Sequence, residues 1–419
     1  MNASMRLLVL LAGVVSVFAL SSSSAFGSTG TLTITGSTTL HEDHYGNVVV
    51  AADNATLNCA GHTIHGNGTH GDGTGDGILV AQHTGVTVSH CAVAGFGTGI
   101  SVIYSTRMTA RENVLVGNYE GVYVEGGDHN TFIGNELRLA GGYGGIDVWF
   151  SSNATLLANR EIAQESVYGS PFGYRLAGSP SGVVMQNRAD GYQATAFMAV
   201  LGSTNSLFSG NTSTFEGASF YVGGSDHVTF AGNDLSGRVD VFQSGSTQVV
   251  ANVLRQGWIS STYSTSTAII GNHVIGSHND GIYVDGGSGH VVRGNDVRGG
   301  EIVGISLTGV DLTELSGNVV TGNATDGIVV GSGSSRVTAF GNTSVANGGC
   351  GFFVDATDSV FKQNTALSNP TYGFVATTGA VGNSFVGNTG LRNGIDAVDK
   401  NQPGANAWIN NRFATTLGL

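Results

Sequence analysis

Fourteen asparagines return at intervals of 19 to 28 residues: Asn113, Asn135, Asn159, Asn187, Asn211, Asn233, Asn252, Asn272, Asn295, Asn318, Asn342, Asn364, Asn388 and Asn411. Many close the phrase apolar-x-Gly-Asn, and a second phrase, Gly-[Ile/Val/Phe]-x-Val, falls about midway between returns. Counting back, His90 starts the same frame 23 residues before Asn113, and Asn58 lies 32 before that. A sustained period of this length predicts a solenoid, in which each repeat buries its apolar face only by stacking on its neighbours.

The content of one period selects the kind of solenoid. Asn279–Asn295 reads NDGIYVDGGSGHVVRGN: a short alternating strand, a Gly-rich turn, a second short strand, then the Asn turn. No window carries helical spacing of its apolar residues, so helical repeats are excluded. Short strands with alternate side chains inward describe one coil of a parallel β-helix. The 67 glycines and only 4 prolines agree, because tight corners need left-handed backbone and Pro would remove ladder donors. Asn tolerates that backbone, and stacked Asn amides can bond from coil to coil. The expectation is an all-β, single-domain right-handed parallel β-helix of roughly 15 coils, about 70 Å long at strand spacing.

Met1–Gly27 reads as a secretion signal: Arg6, the apolar run Leu7–Leu20, and the small-x-small site Ala25-Phe26-Gly27. The run is short for a membrane span, and nothing later is long enough. Residues 28–419 are then one exported domain, secreted or periplasmic, with a cap and first coil over 28–66 and a closing coil over 389–419. Only 11% of residues are charged and the net charge is −13. Such a rod has no electrostatic attraction to nucleic acid or anionic membranes, and it repels a polyanionic substrate.

Cys59 and Cys91 occupy nearly matching places in consecutive coils, within disulfide range if the coils stack. Two stacked free thiols are the other reading of the same spacing. Cys350 has no sequence partner and reads as a buried thiol. The Asn-x-Ser/Thr triplets at Asn54, Asn153, Asn211, Asn323 and Asn342 read as corner chemistry rather than glycosylation sites.

The stretch Thr38–Gly66, TTLHEDHYGNVVVAADNATLNCAGHTIHG, resembles the N-terminal coil of exported right-handed parallel β-helix proteins. Asp43, Ala52-Asp53-Asn54, Leu57 and Gly61-His62-Thr63-Ile64 carry the match. The following repeats, and the tail Asn388–Phe413, look like the same superfamily, which includes pectin and pectate lyases, alginate epimerases and NosD-type proteins tied to copper-site maturation. The resemblance covers nearly the whole of 28–419 and implies fold more than chemistry. The Asp-Pro-His-Asp segment of the epimerases is absent, and so is the Asp-Asp pair of the pectin hydrolases.

Counting eleven residues back from each corner Asn sets an inward residue in most coils: Val102, Val124, Val148, Leu176, Val200, Val222, Val241, Val284 and Leu307. The flanking residues then face solvent. Tyr123, Glu125, Asp147, Trp149, Arg175, Tyr221, Asp240, Phe242, Tyr283 and Asp285 gather there in the central coils, with Ala177, Ala199 and Leu201 between them. Aromatic rings with interspersed carboxylates suit sugar stacking and hydroxyl recognition. Tyr123, Trp149, Tyr221, Asp240, Phe242, Tyr283 and Asp285 are the substrate-binding candidates. Glu125 and Asp147 stand diagonally on adjacent strands, about 8 Å apart at the β-carbons. That suits an inverting pair, with Glu125 as acid, Asp147 as base and Arg175 holding Asp147 ionised. The long coil between Asn159 and Asn187 carries an insertion, Glu161–Phe172 with Glu165 and Tyr168, that would wall one side of this face.

Seven histidines fall in His41–His90 (His41, His44, His62, His65, His70, His83, His90), with Glu42, Asp43, Asp72 and Asp76 among them, but no tight ligand spacing marks a metal site. Three readings follow. One is a β-helix that binds a polysaccharide and, if an enzyme, cleaves it as a glycoside hydrolase or lyase, without cofactor. The others are a non-catalytic scaffold or adhesion rod and a NosD-like metal-site maturation protein.

Overall fold

The computed structural model describes residues 27–68, 73–139, 143–163, 172–191, 195–214 and 217–419. All regular structure among them is β, in a right-handed solenoid of about 16 turns. The strands form three parallel sheets of 18, 18 and 17 members. One coil shows the plan: Val114–Val116 lies in the first sheet, Glu120–Glu125 in the second and Thr131–Ile133 in the third. Each strand pairs only with its counterparts one coil before and one coil after, so neighbours in a sheet are a full repeat apart in sequence.

Alternation along each short strand sends every second side chain inward. Inward residues stack on like residues: Val102 on Val124 on Val148 on Leu176. All four are fully buried. The interior is a column of such files, with aromatic ones among them. Phe361, Phe385 and Trp408 stack at ring distances of 4.9 and 3.9 Å, closing the last coils.

The fourteen asparagines form one unbroken ladder down the corner between the third and first sheets. Asn159 represents the file. Its backbone N–H and its Nδ2 both donate to Asn187 Oδ1, at 2.9 and 3.0 Å. The second Nδ2 proton goes to the Phe132 carbonyl at 2.9 Å. No other side chain offers an acceptor and two donors at this length, so each buried corner is satisfied only by another Asn. Asn211 and Asn342 lie in this ladder and Asn323 in a second file, all buried, so these triplets are not accessible glycosylation sites.

One point of the frame needs correction. Cys91, not His90, holds the ladder position: its N–H donates to Asn113 Oδ1 at 3.0 Å. Cys91 is disulfide-bonded to Cys59, so a covalent bridge stands where the next Asn rungs would be. Cys350 is a buried free thiol, which burial pushes up to about 12. Residues 1–26, most of the expected secretion signal, and the residues Glu165, Tyr168, His70 and Asp72 lie outside the described residues. Among the described residues, no helix is long and apolar enough to cross a membrane.

Candidate functional site

Six-residue strands of the second sheet build the site: Thr98–Ile103, Glu120–Glu125, Gly144–Trp149 and Phe172–Ala177. Third and fifth residues point into the core, while the first, fourth and sixth are on the outer side. Register then places Tyr123, Asp147 and Arg175 side by side on successive coils, with Glu125 opposite Trp149. One coil departs from the counted frame. In Thr195–Val200 the inward residue is Ala199, while Met198 and Val200 face out and Leu201 belongs to the turn. The turn before Asn211 is one residue longer than its neighbours, so counting back from Asn slips by one. Ala177 also differs: it holds an outward position yet is fully covered.

Asp147 is the centre of the cluster and is only 1% exposed. Arg175 grips it with both arms, Nε to Oδ1 at 2.8 Å and Nη2 to Oδ2. Trp149 Nε1 donates to Oδ2 at 2.8 Å. The guanidinium lies among three rings, 4.0 Å from the Phe172 centroid, 4.8 Å from Trp149 and 5.5 Å from Tyr143. The π faces of these rings attract the guanidinium, whose side chain is only 12% exposed.

Glu120 completes the cluster and was not among the sequence candidates. It is 9% exposed, and its carboxyl hydrogen-bonds that of Asp147, an arrangement that requires a proton between them. Among the described residues, no N–H or O–H reaches its buried Oε1. Burial first, and then the Asp147 charge, push Glu120 up to about 8. Burial also lifts Asp147, against the pull of Arg175 and Trp149. Three donors hold Asp147 ionised, whereas Arg175 acts on Glu120 only through its charge, so the shared proton sits on Glu120.

Asp147 is therefore not the open carboxylate that its outward register suggested. It is capped by three donors and sealed from solvent. Glu125, its expected partner, is held instead by two phenols, Tyr104 at 2.9 Å and Tyr123 at 3.2 Å. Burial and that carboxylate push the Tyr123 phenol up to about 12. Farther along, Asp240 accepts from Arg238 at 2.6 Å and Ser260 at 2.9 Å. Tyr221, Phe242, Tyr283 and Asp285 are half-buried on the same side but separate from the cluster. Glu120, Tyr143 and Phe172 were missed because only the residues flanking one inward position were read. The column three residues earlier (Asp76, Thr98, Glu120, Gly144, Phe172) would have shown Glu120 and Phe172.

The N-terminal histidines disperse onto different carboxylates: His62 and His65 face Asp43, His83 faces Asp53 and His90 faces Glu112.

The sequence profile of the right handed beta helix region matches residues 76–235 and 258–413, most of the chain. The chain belongs to that family. No curated protein matches it significantly. Among solved structures, it is similar to the A-module of the Azotobacter vinelandii mannuronan C-5 epimerase AlgE6, at 14% identity and a TM-score of 0.32, over 88% of this chain and 90% of that one. It is similar to the periplasmic alginate epimerase AlgG at 13% identity and 0.37, over 78% and 76%. It is also similar to tailspike protein 3 of bacteriophage CBA120 at 11% identity and 0.39, over 92% of this chain and 56% of the tailspike.

Proposed function

We propose that this member of the right-handed β-helix family is an exported rod that binds a neutral or weakly charged polysaccharide across its second sheet and cleaves it beside Glu120. The observation that carries the reading is the buried carboxyl pair on the outer side of the rod. Burying Glu120, Asp147 and Arg175 together does little for stability, because desolvation offsets their attraction. A protonated carboxyl and an ionised one, pushed apart by their surroundings, supply an acid near neutral pH. The clustered rings suit sugar faces, and half-buried Tyr123 and Trp149 flank Asp147.

Arg175 is fully engaged by Asp147, and Arg238 is bonded to Asp240. Neither is a free partner for a uronate, which agrees with the acidic balance of the chain. In the proposed step, Glu120 gives its proton to the glycosidic oxygen as the anomeric C–O bond breaks. Water adds to the anomeric carbon and releases a proton that restores Glu120. Asp147, sealed by its donors, is a positioning residue: its charge keeps the proton on Glu120 until the leaving oxygen takes it.

The test is a broad neutral-glycan panel read for binding and for new reducing ends. Turnover should decline above about pH 8 as Glu120 ionises. Glu120→Gln should abolish turnover and keep binding, and Trp149→Ala should weaken binding by about 1–3 kcal/mol. Neither binding nor cleavage anywhere in the panel would leave a rod with a scaffold role.

A further inference from the structure

The turn that follows each second-sheet strand carries a pattern that the acid cluster does not use. Its first residue is left-handed in coil after coil, including Tyr104, Gly126, Phe150, Gly178, Leu201 and Gly224 (φ 47°, 68°, 48°, 58°, 57° and 57°). Glycine suits this backbone, and a bulky residue there is unfavourable. Yet from Tyr104 to Gly224 the position alternates, large apolar in one coil and glycine in the next, before the row continues as Gln243, Tyr263, Gly286 and Gly309. Among the described residues, five large apolar side chains have left-handed backbone, and four stand in this one row: Tyr104, Phe150, Leu201 and Tyr263. They are 57%, 63%, 61% and 67% exposed. Other left-handed turn positions carry mostly small or polar residues.

Two of the glycines between them are occupied space, while Gly224 beyond Leu201 is open. A β-carbon added to Gly126 would stand 2.5 Å from the Tyr104 ring, and one added to Gly178 would stand 2.6 Å from the Phe150 ring. Each ring thus lies along the rod over the glycine of the next coil. The residue before each of the first three platforms is also apolar (Ile103, Trp149, Val200), and where the row passes to Gln243 the platform is Phe242, with Tyr263 edge-on at 6.1 Å. From Tyr104 through Phe150 and Leu201 to Phe242 the platforms recur every second coil, about 9.5 Å apart at parallel-strand spacing, and Tyr263 follows on the next coil.

An extended chain of diequatorially 1,4-linked pyranoses turns over at each sugar, so the same apolar ring face returns at every second sugar, about the spacing of these platforms. We propose that this corner is a track for such a chain lying parallel to the rod axis, with alternate sugars seated on Tyr104, Phe150 and Leu201. The inference rests on the polysaccharide reading and adds linkage class and direction to it. Trp149 joins the two regions, bonded to Asp147 and with its ring 5.7 Å from Phe150.

The test is calorimetric titration of the full chain with gluco-, N-acetylglucosamino-, xylo- and manno-oligosaccharides in β-1,4 linkage, at increasing length. Malto-oligosaccharides are the axially linked control. Affinity for at least one diequatorial series should rise with each added pair of sugars, and the malto series should not follow. Phe150→Gly should lower affinity for the long oligomer roughly tenfold and leave the short one unchanged. Its thermal midpoint should hold or rise, since glycine fills this position in alternate coils. Suppose Phe150→Gly and Tyr104→Gly leave long-oligomer affinity intact while Trp149→Ala weakens it. The track is then wrong and the polysaccharide reading stands. If no series binds, both fall. A chain that self-associates in sedimentation, and is monomeric as Phe150→Gly, would make the row a contact between copies and overturn the track.

Discussion

The asparagine corner and the second-sheet cluster both bury polar groups, in opposite ways. In the corner, every Asn has the same neighbour, every donor meets an acceptor, and no charge is involved. In the cluster, two carboxyls share a proton, one guanidinium is packed among rings, and Glu120 Oε1 meets no donor among the described residues. The corner has the signature of a device for stability, a satisfied network repeated without variation. The cluster has the signature of a device for chemistry, since apolar residues of similar volume would be as stable or more so.

Breaking the corner should have the largest effect. Asn233→Ala removes the acceptor for Asn211 N–H and Nδ2 and the donor to the Phe208 carbonyl. Leaving those groups buried should cost about 3–5 kcal/mol by urea unfolding. A loss below about 1 kcal/mol would mean that water replaces the rung. Halving the cluster comes next. Arg175→Met strands the Asp147 charge and should cost about 3 kcal/mol. Combining it with Asp147→Leu should recover most of that loss, whereas no apolar pair should rescue the corner. Opening the bridge at the top of the ladder is smaller: Cys59→Ser should cost about 2–3 kcal/mol, with free Cys91 confirmed by alkylation.

The two regions also differed in how far the sequence revealed them. All fourteen ladder positions were readable, because a buried side chain that must bond to copies of itself leaves almost no choice but Asn. Inward residues could be counted wherever the turn length stayed constant, and the count slipped at Val200 where the turn gained a residue. The cluster was half legible. Asp147, Trp149 and Arg175 declared themselves as unusual residues on a strand face. Glu120 did not, since its importance comes from meeting Asp147 across one coil, a contact set by register rather than by any local motif. Exposure was also illegible: outward register put Asp147 on the surface, and only the donors around it show that it is sealed.

The most direct test of the central claim is the pH dependence of stability, compared between the wild-type chain and Glu120→Gln. Folding raises Glu120 from an ordinary 4.5 to about 8, so between those values the folded state holds a proton that the unfolded chain has lost. Stability from this group is therefore full below about pH 4.5, declines as pH rises through about 8, and then levels off. Glu120→Gln carries no titrating group and should lack that decline, so the variant gains on the wild type as pH rises and is the more stable of the two above pH 8. Unfolding curves that run parallel from pH 4 to 9 would show that Glu120 is ionised in the fold, and the proton-sharing pair would not exist.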